Sequence, residues 1–288
     1  MGWSTADIPD QSGRTFVVTG ANSGLGEQTT RALVGAGANV VMACRNLTTA
    51  QALADTLGER ARVEKLDLSD LASIRDFGSR VDTVDVLINN AGVMAVPERR
   101  TSDGFEMQMG TNHLGHFALT GLLLDKVTDR VVTLSSFMHQ LGRINLDDLN
   151  WDKRRYRRWS VYGDSKMANL MFGKELAKRL EASGSSVGSM IAHPGYADTG
   201  LQGHTESFMD QLMAIGNKTP FAQSAEAGAL PTLFAATSPE AKSGLFYGPK
   251  RIMVGPPAVS KYNRRANNQG TRNGLWDLST KLTGVSVA

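Results

Sequence analysis

The sequence has little cysteine, no long apolar stretch and almost no excess charge. Its one cysteine, Cys44, excludes an internal disulfide and any zinc site built from several cysteines. We therefore expect a reducing, cytoplasmic environment. The longest mostly apolar stretch, residues 117–124, is far shorter than the roughly 20 residues that a spanning helix needs. Residues 1–13 lack the apolar run of a signal peptide, so we expect a soluble protein with no transmembrane segment.

The charge balance does not favour a nucleic-acid partner, because 31 Lys+Arg against 28 Asp+Glu leave a net charge of only +3. Hydrophobic residues make up 41% and charged residues 20%, which is typical of a folded globular protein. The length of 288 residues suits one large α/β domain or two small ones. His113 and His116 are three residues apart, but no carboxylate or cysteine set accompanies them, so we predict no metal site.

A strand, a glycine-rich loop, a helix and a second strand open the chain. Residues 15–19 and 39–44 are β-branched and apolar runs that predict buried strands. The loop between them has the spacing G-x-x-x-G-x-G, and such a loop before a helix N-terminus can receive a pyrophosphate. The alternative is a glycine turn that only packs the helix on the strand. The predicted dinucleotide-binding residues here are Gly20, Asn22, Ser23, Gly24, Leu25 and Gly26.

The end of the second strand indicates which dinucleotide is bound. An acidic residue there would bind a ribose 2′-hydroxyl and repel a 2′-phosphate. The sequence instead has Cys44, Arg45 and Asn46, and an arginine can form two charge-assisted hydrogen bonds with a phosphate. NADP(H) is therefore favoured over NAD(H). The alternative is an exposed arginine that stacks on adenine.

The alternation of helices and strands continues beyond this unit. We predict helices at residues 49–57 and 70–81, the second capped by Ser69, and strands at residues 62–66 and 85–88. Asp67, followed by Leu68, could accept a hydrogen bond from the adenine amino group or could simply turn the chain. The second of these strands leads into Asn89, Asn90, Ala91 and Gly92, a turn that can hold a ligand at the carboxyl edge of a parallel sheet.

Two further segments carry polar residues toward the same edge. A long helix is predicted at residues 105–127, and Asn112 inside it lowers helix propensity. Asn112 therefore has either a functional task or the local task of capping a kink. A strand at residues 130–134 then leads to Ser135 and Ser136.

Tyr162 and Lys166 lie four residues apart on a helix predicted at residues 160–182, and so share one face of it. A cation within a few ångströms lowers the pKa of an acid, and we therefore expect Lys166 to bring the phenol toward neutral pH as a proton donor. The alternative is a half-buried tyrosine beside a lysine that extends toward solvent.

These segments, taken together in their order, resemble the short-chain dehydrogenase/reductase family over about residues 13–200. The resemblance is closest to its retinol-dehydrogenase-like branch, with protochlorophyllide reductase-like relatives. It implies a single-domain, Rossmann-type, doubly wound parallel α/β sheet that transfers hydride between a nicotinamide and a carbonyl or alcohol. The motifs that carry it are Thr19-Gly20-(x)3-Gly24-x-Gly26, Asn89 to Gly92, Asn112, Ser135-Ser136, Tyr162-(x)3-Lys166 and His193-Pro194-Gly195.

The resemblance also implies a role for each matching residue. Tyr162 would be the acid/base, Lys166 would lower its pKa and hold the nicotinamide ribose, and Ser136 would bind the substrate oxygen. Asn112 would hold a water that links Lys166 to solvent. Pro194, Gly195 and Thr199 would face the nicotinamide amide.

Other parts of the chain permit more than one interpretation. The basic run at residues 153–158 is either a solvated loop or a surface that attracts an anionic substrate or an acidic membrane. Residues 200–224 carry a Met-rich apolar face, which is a substrate loop for an apolar ligand, plain core or a subunit contact. Residues 225–288 form a C-terminal part with a helix at 225–236 and a strand at 244–247, and the tail around Trp276 is unassigned.

The leading functional hypothesis is an NADP(H)-dependent carbonyl reductase or alcohol dehydrogenase for a largely apolar small molecule, possible as a homodimer or homotetramer. Reduction of a carbon–carbon double bond is the alternative reaction. A non-catalytic NADP(H)-binding sensor is the alternative outside enzymes.

Overall fold

The computed structural model describes residues 2–195 and 223–287, and within them one sheet organises the chain. Its strands are β1 (Thr15–Thr19), β2 (Asn39–Cys44), β3 (Ala61–Lys65), β4 (Val84–Asn89), β5 (Val127–Leu134), β6 (Gly188–Ala192), β7 (Phe246–Pro249) and β8 (Pro257–Val259). They are ordered β3-β2-β1-β4-β5-β6-β7-β8. All neighbours are parallel except β7 and β8, so the predicted doubly wound sheet is confirmed with one antiparallel edge strand.

Helices cover both faces of the sheet. They are α1 (Gly24–Gly35), α2 (Leu47–Leu57), α3 (Leu71–Arg80), α4 (Met107–Met109), α5 (Gly115–Leu123), α6 (Arg158–Ala182), α7 (Ala225–Thr237) and α8 (Gln269–Thr283). Helices α1, α2 and α7 pack on one face, and α3, α5 and α6 pack on the other. Among the described residues, no helix combines the length and the apolar character that crossing a bilayer would require.

Strands β1, β2, β4 and β6 are buried on both faces because successive side chains enter different layers. In β1, Val17 packs with the layer of α3 and α5, whereas Phe16 and Val18 pack with the layer of α1 and α2. This burial explains why the strands are continuous apolar runs and not alternating patterns. Because β1 to β7 are parallel, their carboxyl ends lie at one edge of the sheet, where parallel α/β sheets bind ligands.

The start of α3 and the middle of the long helix predicted at residues 105–127 differ from the prediction. The cap of α3 is Asp70 and not Ser69, because the Asp70 carboxylate accepts from Ala72 N at 2.9 Å while Ser69 hydrogen-bonds to Asp67. The helix expected at residues 105–127 is divided into α4, a π-helical turn at Gly110–Leu114, and α5. Strand β5 then begins at Val127, three residues earlier than predicted.

The unassigned C-terminal tail forms β8 and α8. Trp276 of α8 is buried, with its ring 5.3 Å from that of Phe117 and 5.7 Å from that of Phe172. Val285 and Val287 complete the same apolar layer. The tail thus covers the outer faces of α5 and α6, the two helices nearest to the predicted catalytic residues.

Candidate active site

A cleft of about 300 Å³ opens at the carboxyl edge of β1, β2, β3 and β4. Most of the predicted dinucleotide-binding residues line it, whereas Asn89, Tyr162, Lys166, Pro194 and Gly195 do not. The predicted residues in its wall are Gly20, Asn22, Ser23, Gly24, Leu25, Gly26, Arg45, Asn46, Asp67, Leu68, Asn90, Ala91 and Gly92.

The glycines of the loop are required by the backbone. Gly20 has φ +63° and Gly24 has φ +51°, a region that side chains with a Cβ rarely adopt. Gly26 faces the loop from the first turn of α1, and a Cβ on it would lie 2.1 Å from the Gly20 carbonyl oxygen. The cap residue Ser23 makes no side-chain hydrogen bond to the helix, so the first-turn N–H groups of α1 are not capped by it. Such a helix terminus suits a pyrophosphate.

Asn90 and Thr19 join this loop to the end of β4. Asn90 donates from Nδ2 to the Thr19 carbonyl oxygen at 2.7 Å. The Thr19 hydroxyl in turn accepts from the backbone N–H groups of Asn90 and Ala91, both at 2.9 Å. The turn after β4 and the glycine loop are therefore one hydrogen-bonded unit.

Asn89 is a correction to the predicted set. It is fully buried, and its Nδ2 donates to Thr120 Oγ1 of α5 at 2.9 Å. As the last residue of this buried strand, Asn89 points into the layer of α5, so of the two asparagines Asn90 is the one that lines the cleft. Asn89 therefore ties β4 to α5.

The residues that follow β2 and β3 form one end of the cleft, and they include both exposed and hydrogen-bonded side chains. Arg45 is exposed directly after β2, next to the buried Cys44. Asn46 caps α2 by accepting from Thr49 N at 3.2 Å. Asp67 Oδ1 accepts from the Ser69 backbone N–H at 2.9 Å, which is the chain-turning task considered for it, while Asp67 also lines the cleft.

The phenol and ammonium of Tyr162 and Lys166 are both buried on α6. Lys166 Nζ lies 5.7 Å from the centre of the Tyr162 ring, and the Tyr162 side chain hydrogen-bonds to that of Ser136. The backbone around them is fixed by Ser135, whose hydroxyl donates to the Lys166 carbonyl oxygen at 2.8 Å. The end of β5 and the first turns of α6 thus bring the three predicted side chains together.

Burial controls the ionisation of this pair. It raises the pKa of Tyr162 to about 12, against a smaller lowering by the hydrogen bond to Ser136. It also lowers the pKa of Lys166 to about 8, because the ammonium loses hydration. The expected fall in the pKa of the phenol is therefore not found, because the loss of water around the phenol outweighs the lowering by its hydrogen bond to Ser136.

Asn112 lies in the π-helical turn. Turns of this kind are frequent at functional sites. Oδ1 of Asn112 accepts from Val93 N at 2.8 Å, and Nδ2 donates to Val93 O at 2.9 Å and to Ser165 Oγ at 3.0 Å. Ser165 Oγ donates to the Tyr162 carbonyl oxygen at 2.8 Å. Asn112 thus connects the loop after β4 to the helix of Tyr162.

Gly92 joins the cleft to these side chains. It lines the cleft, and a Cβ on it would lie 3.0 Å from Asn112 Oδ1 and 3.4 Å from Lys166 Nζ. Pro194 and Gly195 follow β6 at the same edge, and Gly195 has φ +72°. Thr199 and the Met-rich face of residues 208–215 lie outside the described residues.

The basic run is only partly solvated. Arg154 donates to Asp148 Oδ2 at 2.8 Å, lies 3.6 Å from Asp164 Oδ2, and stacks 3.8 Å above the Trp151 ring. Arg155 is exposed. The solvated-loop interpretation thus fits Arg155, whereas Arg154 anchors the loop to α6.

The four histidines among the described residues, His113, His116, His139 and His193, are buried and hydrogen-bonded to the protein. His139 Nδ1 lies 2.6 Å from the Ser136 carbonyl oxygen, a contact within the protein that fits a structural role for this histidine. His193 Nε2 lies 3.1 Å from Ser260 Oγ. Within residues 2–195 and 223–287, no group of three or more metal-ligating side chains is present.

Sequence reasoning missed Gln108, Val93 and Thr111. Gln108 is fully buried; its Oε1 accepts from Ala95 N at 2.8 Å and its Nε2 donates to the Arg158 carbonyl oxygen at 3.0 Å. It links the loop after β4 to the first turn of α6. Val93 and Thr111 line the cleft. The only signal was their proximity to Gly92 and Asn112 in the chain.

Comparisons with known proteins agree with this architecture. Residues 14–210 match the short chain dehydrogenase family. Human retinol dehydrogenase 13 is 39% identical over 303 residues, covering 99% of this chain and 88% of that protein. A crystal structure of an uncharacterized protein from Mycobacterium Paratuberculosis has 47% identity and a TM-score of 0.88, with 100% of both chains covered.

A more distant structure has the same fold with a dinucleotide bound. It is a short chain dehydrogenase from Burkholderia cenocepacia J2315 in complex with NADP, with 20% identity and a TM-score of 0.66 over 83% of this chain and 97% of that one. At that identity the likeness shows the fold alone. The match of residues 14–210 and the 39% identity to a retinol dehydrogenase show more: this chain belongs to the short-chain dehydrogenase/reductase family of oxidoreductases.

Proposed function

We propose that this protein transfers hydride between NADP(H) and a carbonyl or alcohol group of a largely apolar small molecule. The observation that carries the proposal is the position of Gly92, which belongs to the cleft and also lies beside Asn112 Oδ1 and Lys166 Nζ. A dinucleotide in the cleft would thereby have its reactive end next to the buried polar side chains.

The residues of the cleft fit a dinucleotide. Because position 26 has no Cβ, the first turn of α1 can approach the Gly20 carbonyl oxygen closely, and Ser23, Gly24 and Leu25 at the start of the helix line the cleft. Arg45 supports NADP(H), since it is exposed at the end of β2 and residues 44–46 contain no carboxylate. Asp67 and Leu68 would face the adenine, and Asn90 to Gly92 would face the nicotinamide ribose.

Tyr162 and Ser136 would act on the substrate oxygen. When bound, the nicotinamide supplies or accepts the hydride. A carbonyl that gains hydride develops negative charge on its oxygen, and two hydroxyl donors can stabilise that charge where it forms. Tyr162 remains protonated at neutral pH, because burial raises its pKa, so it is available to give its proton to the oxygen. Lys166 would bind the ribose, and Asn112 would hold a water that links Lys166 to solvent, so that a proton can return to the phenol.

The substrate is proposed to be a long apolar aldehyde or alcohol. The retinol dehydrogenase relatives support this class by their names. Phe137 follows Ser136 directly and is 38% exposed, so an apolar surface lies next to the proposed oxygen-binding hydroxyl. We also propose a cytoplasmic location from the single cysteine, which cell fractionation tests.

Tyr162→Phe tests the reaction. We expect wild type to oxidise NADPH in the presence of retinal or another apolar aldehyde, and Tyr162→Phe to lose at least about a hundredfold in kcat, the low end of a positioned acid's contribution. Tyr247→Phe is the control, because its hydroxyl bonds to Lys242 at the other edge of the sheet. Undiminished turnover by Tyr162→Phe would refute the mechanism. Tight NADPH binding without turnover on any aldehyde, ketone or alcohol would favour a sensor.

Arg45→Asp tests the dinucleotide. A charge-assisted hydrogen bond contributes about 1.5–3 kcal/mol, so the variant should bind NADPH about 10- to 100-fold more weakly, with NADH affinity kept or improved. Arg60→Asp makes the same charge change at an exposed position before β3, at the far end of the sheet. Equal losses for NADPH and NADH would contradict the assignment of Arg45 to a 2′-phosphate.

A further inference from the structure

His116 is fully buried, and each of its two ring nitrogens lies within hydrogen-bond distance of a different element of the site. Its Nδ1 lies 2.9 Å from the main-chain oxygen of Asn112, in the π-helical turn. Its Nε2 lies 2.9 Å from Thr19 Oγ1, at the end of β1. One imidazole therefore connects the Asn112 segment to the glycine loop, although the loop and that segment are more than 90 residues apart in the chain.

The hydrogen bonds of Thr19 determine the tautomer of His116. A hydroxyl oxygen has two lone pairs and one hydrogen to donate. Both lone pairs of Thr19 Oγ1 are used, because it accepts from Asn90 N and Ala91 N. Its hydrogen can go to His116 Nε2 at 2.9 Å or to the Ile88 carbonyl oxygen at 3.4 Å. The second distance is too long for a good O–H···O bond, so Nε2 is the acceptor.

The other ring nitrogen gives the same answer independently. The Asn112 carbonyl oxygen can only accept, so the nitrogen facing it must carry the hydrogen. Nε2 is then bare, as the Thr19 hydroxyl requires. Burial, against a smaller raising effect of the hydrogen bond to the Asn112 carbonyl oxygen, lowers the pKa of His116 to about 3, so the ring is neutral at physiological pH.

We propose that His116 is a positioning residue which, as the Nδ1-protonated tautomer, holds the Thr19–Asn90–Ala91 unit at a set distance from Asn112. Its hydrogen bond orients the Thr19 hydroxyl so that both lone pairs face the turn after β4. That turn lines the cleft, so the ring acts on dinucleotide binding through Thr19 without touching the ligand. The inference rests on the dinucleotide site proposed above.

Two substitutions separate the two nitrogens. In His116→Gln the amide oxygen can reach the place of Nε2 and accept from Thr19, whereas in His116→Asn the amide can replace only Nδ1 and donate to Asn112. We expect His116→Asn to bind NADPH about five- to tenfold more weakly, the loss of about one hydrogen bond. His116→Gln should stay within about twofold of wild type. Equal affinities for both variants, or a weaker one for His116→Gln, would overturn the proposal.

The tautomer is measurable in the wild-type protein itself. Long-range ¹H–¹⁵N correlation on ¹⁵N-histidine-labelled protein, with His116 assigned by its absence in His116→Gln, should show a protonated Nδ1 and a bare Nε2 at neutral pH. A proton on Nε2, or a charged ring, would refute the network. This measurement needs no ligand, so it tests the hydrogen bonds of His116 even if the wild-type protein binds no dinucleotide. Failure to bind a dinucleotide would instead refute the proposed function.

Discussion

Gly26→Ala is the substitution for which the structure gives the sharpest expectation. The new Cβ would lie 2.1 Å from the Gly20 carbonyl oxygen and 2.7 Å from Asn90 Nδ2. Neither neighbour can move freely, because Gly20 has φ +63° and Asn90 Nδ2 is hydrogen-bonded to Thr19 O at 2.7 Å. Inserting a methyl group into a packed site costs about 1–3 kcal/mol, and a clash with backbone belongs at the upper end.

Gly35→Ala is the matched control, since Gly35 is the last residue of the same helix. Nothing lies within 4 Å of a Cβ built there. Alanine is favoured over glycine in helices by about 0.5–1 kcal/mol, a gain that applies to both variants. We therefore expect Gly26→Ala to lower the free energy of unfolding by about 2 kcal/mol and Gly35→Ala to leave it unchanged or raise it by up to about 1 kcal/mol.

Urea unfolding followed by circular dichroism measures these differences, and fluorescence titration gives the affinity for NADPH. The clash displaces the glycine loop from Asn90, so Gly26→Ala should also bind NADPH at least about tenfold more weakly, the factor for 1.4 kcal/mol. Gly35→Ala should bind as wild type does. If Gly26→Ala matched Gly35→Ala in both stability and affinity, the contact between Gly26 and Gly20 would not constrain the loop.

Two further substitutions concern charge at the site. Burial lowers the pKa of Lys166 to about 8, whereas its value in the unfolded chain is near 10.5, so between these pH values the unfolded chain binds more protons. The free energy of unfolding of the wild type should therefore rise with pH in that window by up to about 3 kcal/mol relative to Lys166→Met. Parallel pH curves for the two proteins would disprove the shift. Arg154→Ala should lower the free energy of unfolding by about 1–3 kcal/mol, because it leaves the buried Asp148 and Asp164 without their partner, whereas Arg155→Ala, at an exposed position of the same run, should change it by less than about 0.5 kcal/mol. Equal effects in urea unfolding would show that the run acts as a solvated loop throughout.

Much of the sheet could be predicted because burial leaves a local signal. Strands β1 and β2 are apolar runs, and both lie at the predicted residues. The break in the helix predicted at residues 105–127 could not be predicted from the sequence. The π-helical turn at this break depends on how Gly110 and Gly115 fit against other segments of the chain. A Cβ on Gly110 would lie 2.5 Å from Thr101 Cγ2, and one on Gly115 would lie 2.4 Å from Leu68 O.

The features of the site likewise fall into those that local sequence predicts and those that depend on tertiary packing. The glycine loop follows from backbone conformation, which the residue type reveals. Whether Asn89 or Asn90 faces the cleft depends on which residue is the last to pair in β4, and strand ends are not visible in a sequence. The pKa of Tyr162 depends on how completely α6 and the end of β5 exclude water, and a spacing of four residues carries no information about that.

The hydrogen bonds of Asn112 limit what this side chain can do. Both of its amide hydrogens are donated, to Val93 O and Ser165 Oγ, and Oδ1 already accepts from Val93 N. An amide oxygen has two lone pairs, so one remains, on the oxygen that a Cβ on Gly92 would approach to 3.0 Å. The main-chain oxygen is engaged by His116. A water that links Lys166 to solvent and binds this amide would therefore have to donate to the remaining lone pair of Oδ1. The hydrogen bonds that hold Asn112 in place thus also fix the direction from which a proton relay can reach Lys166.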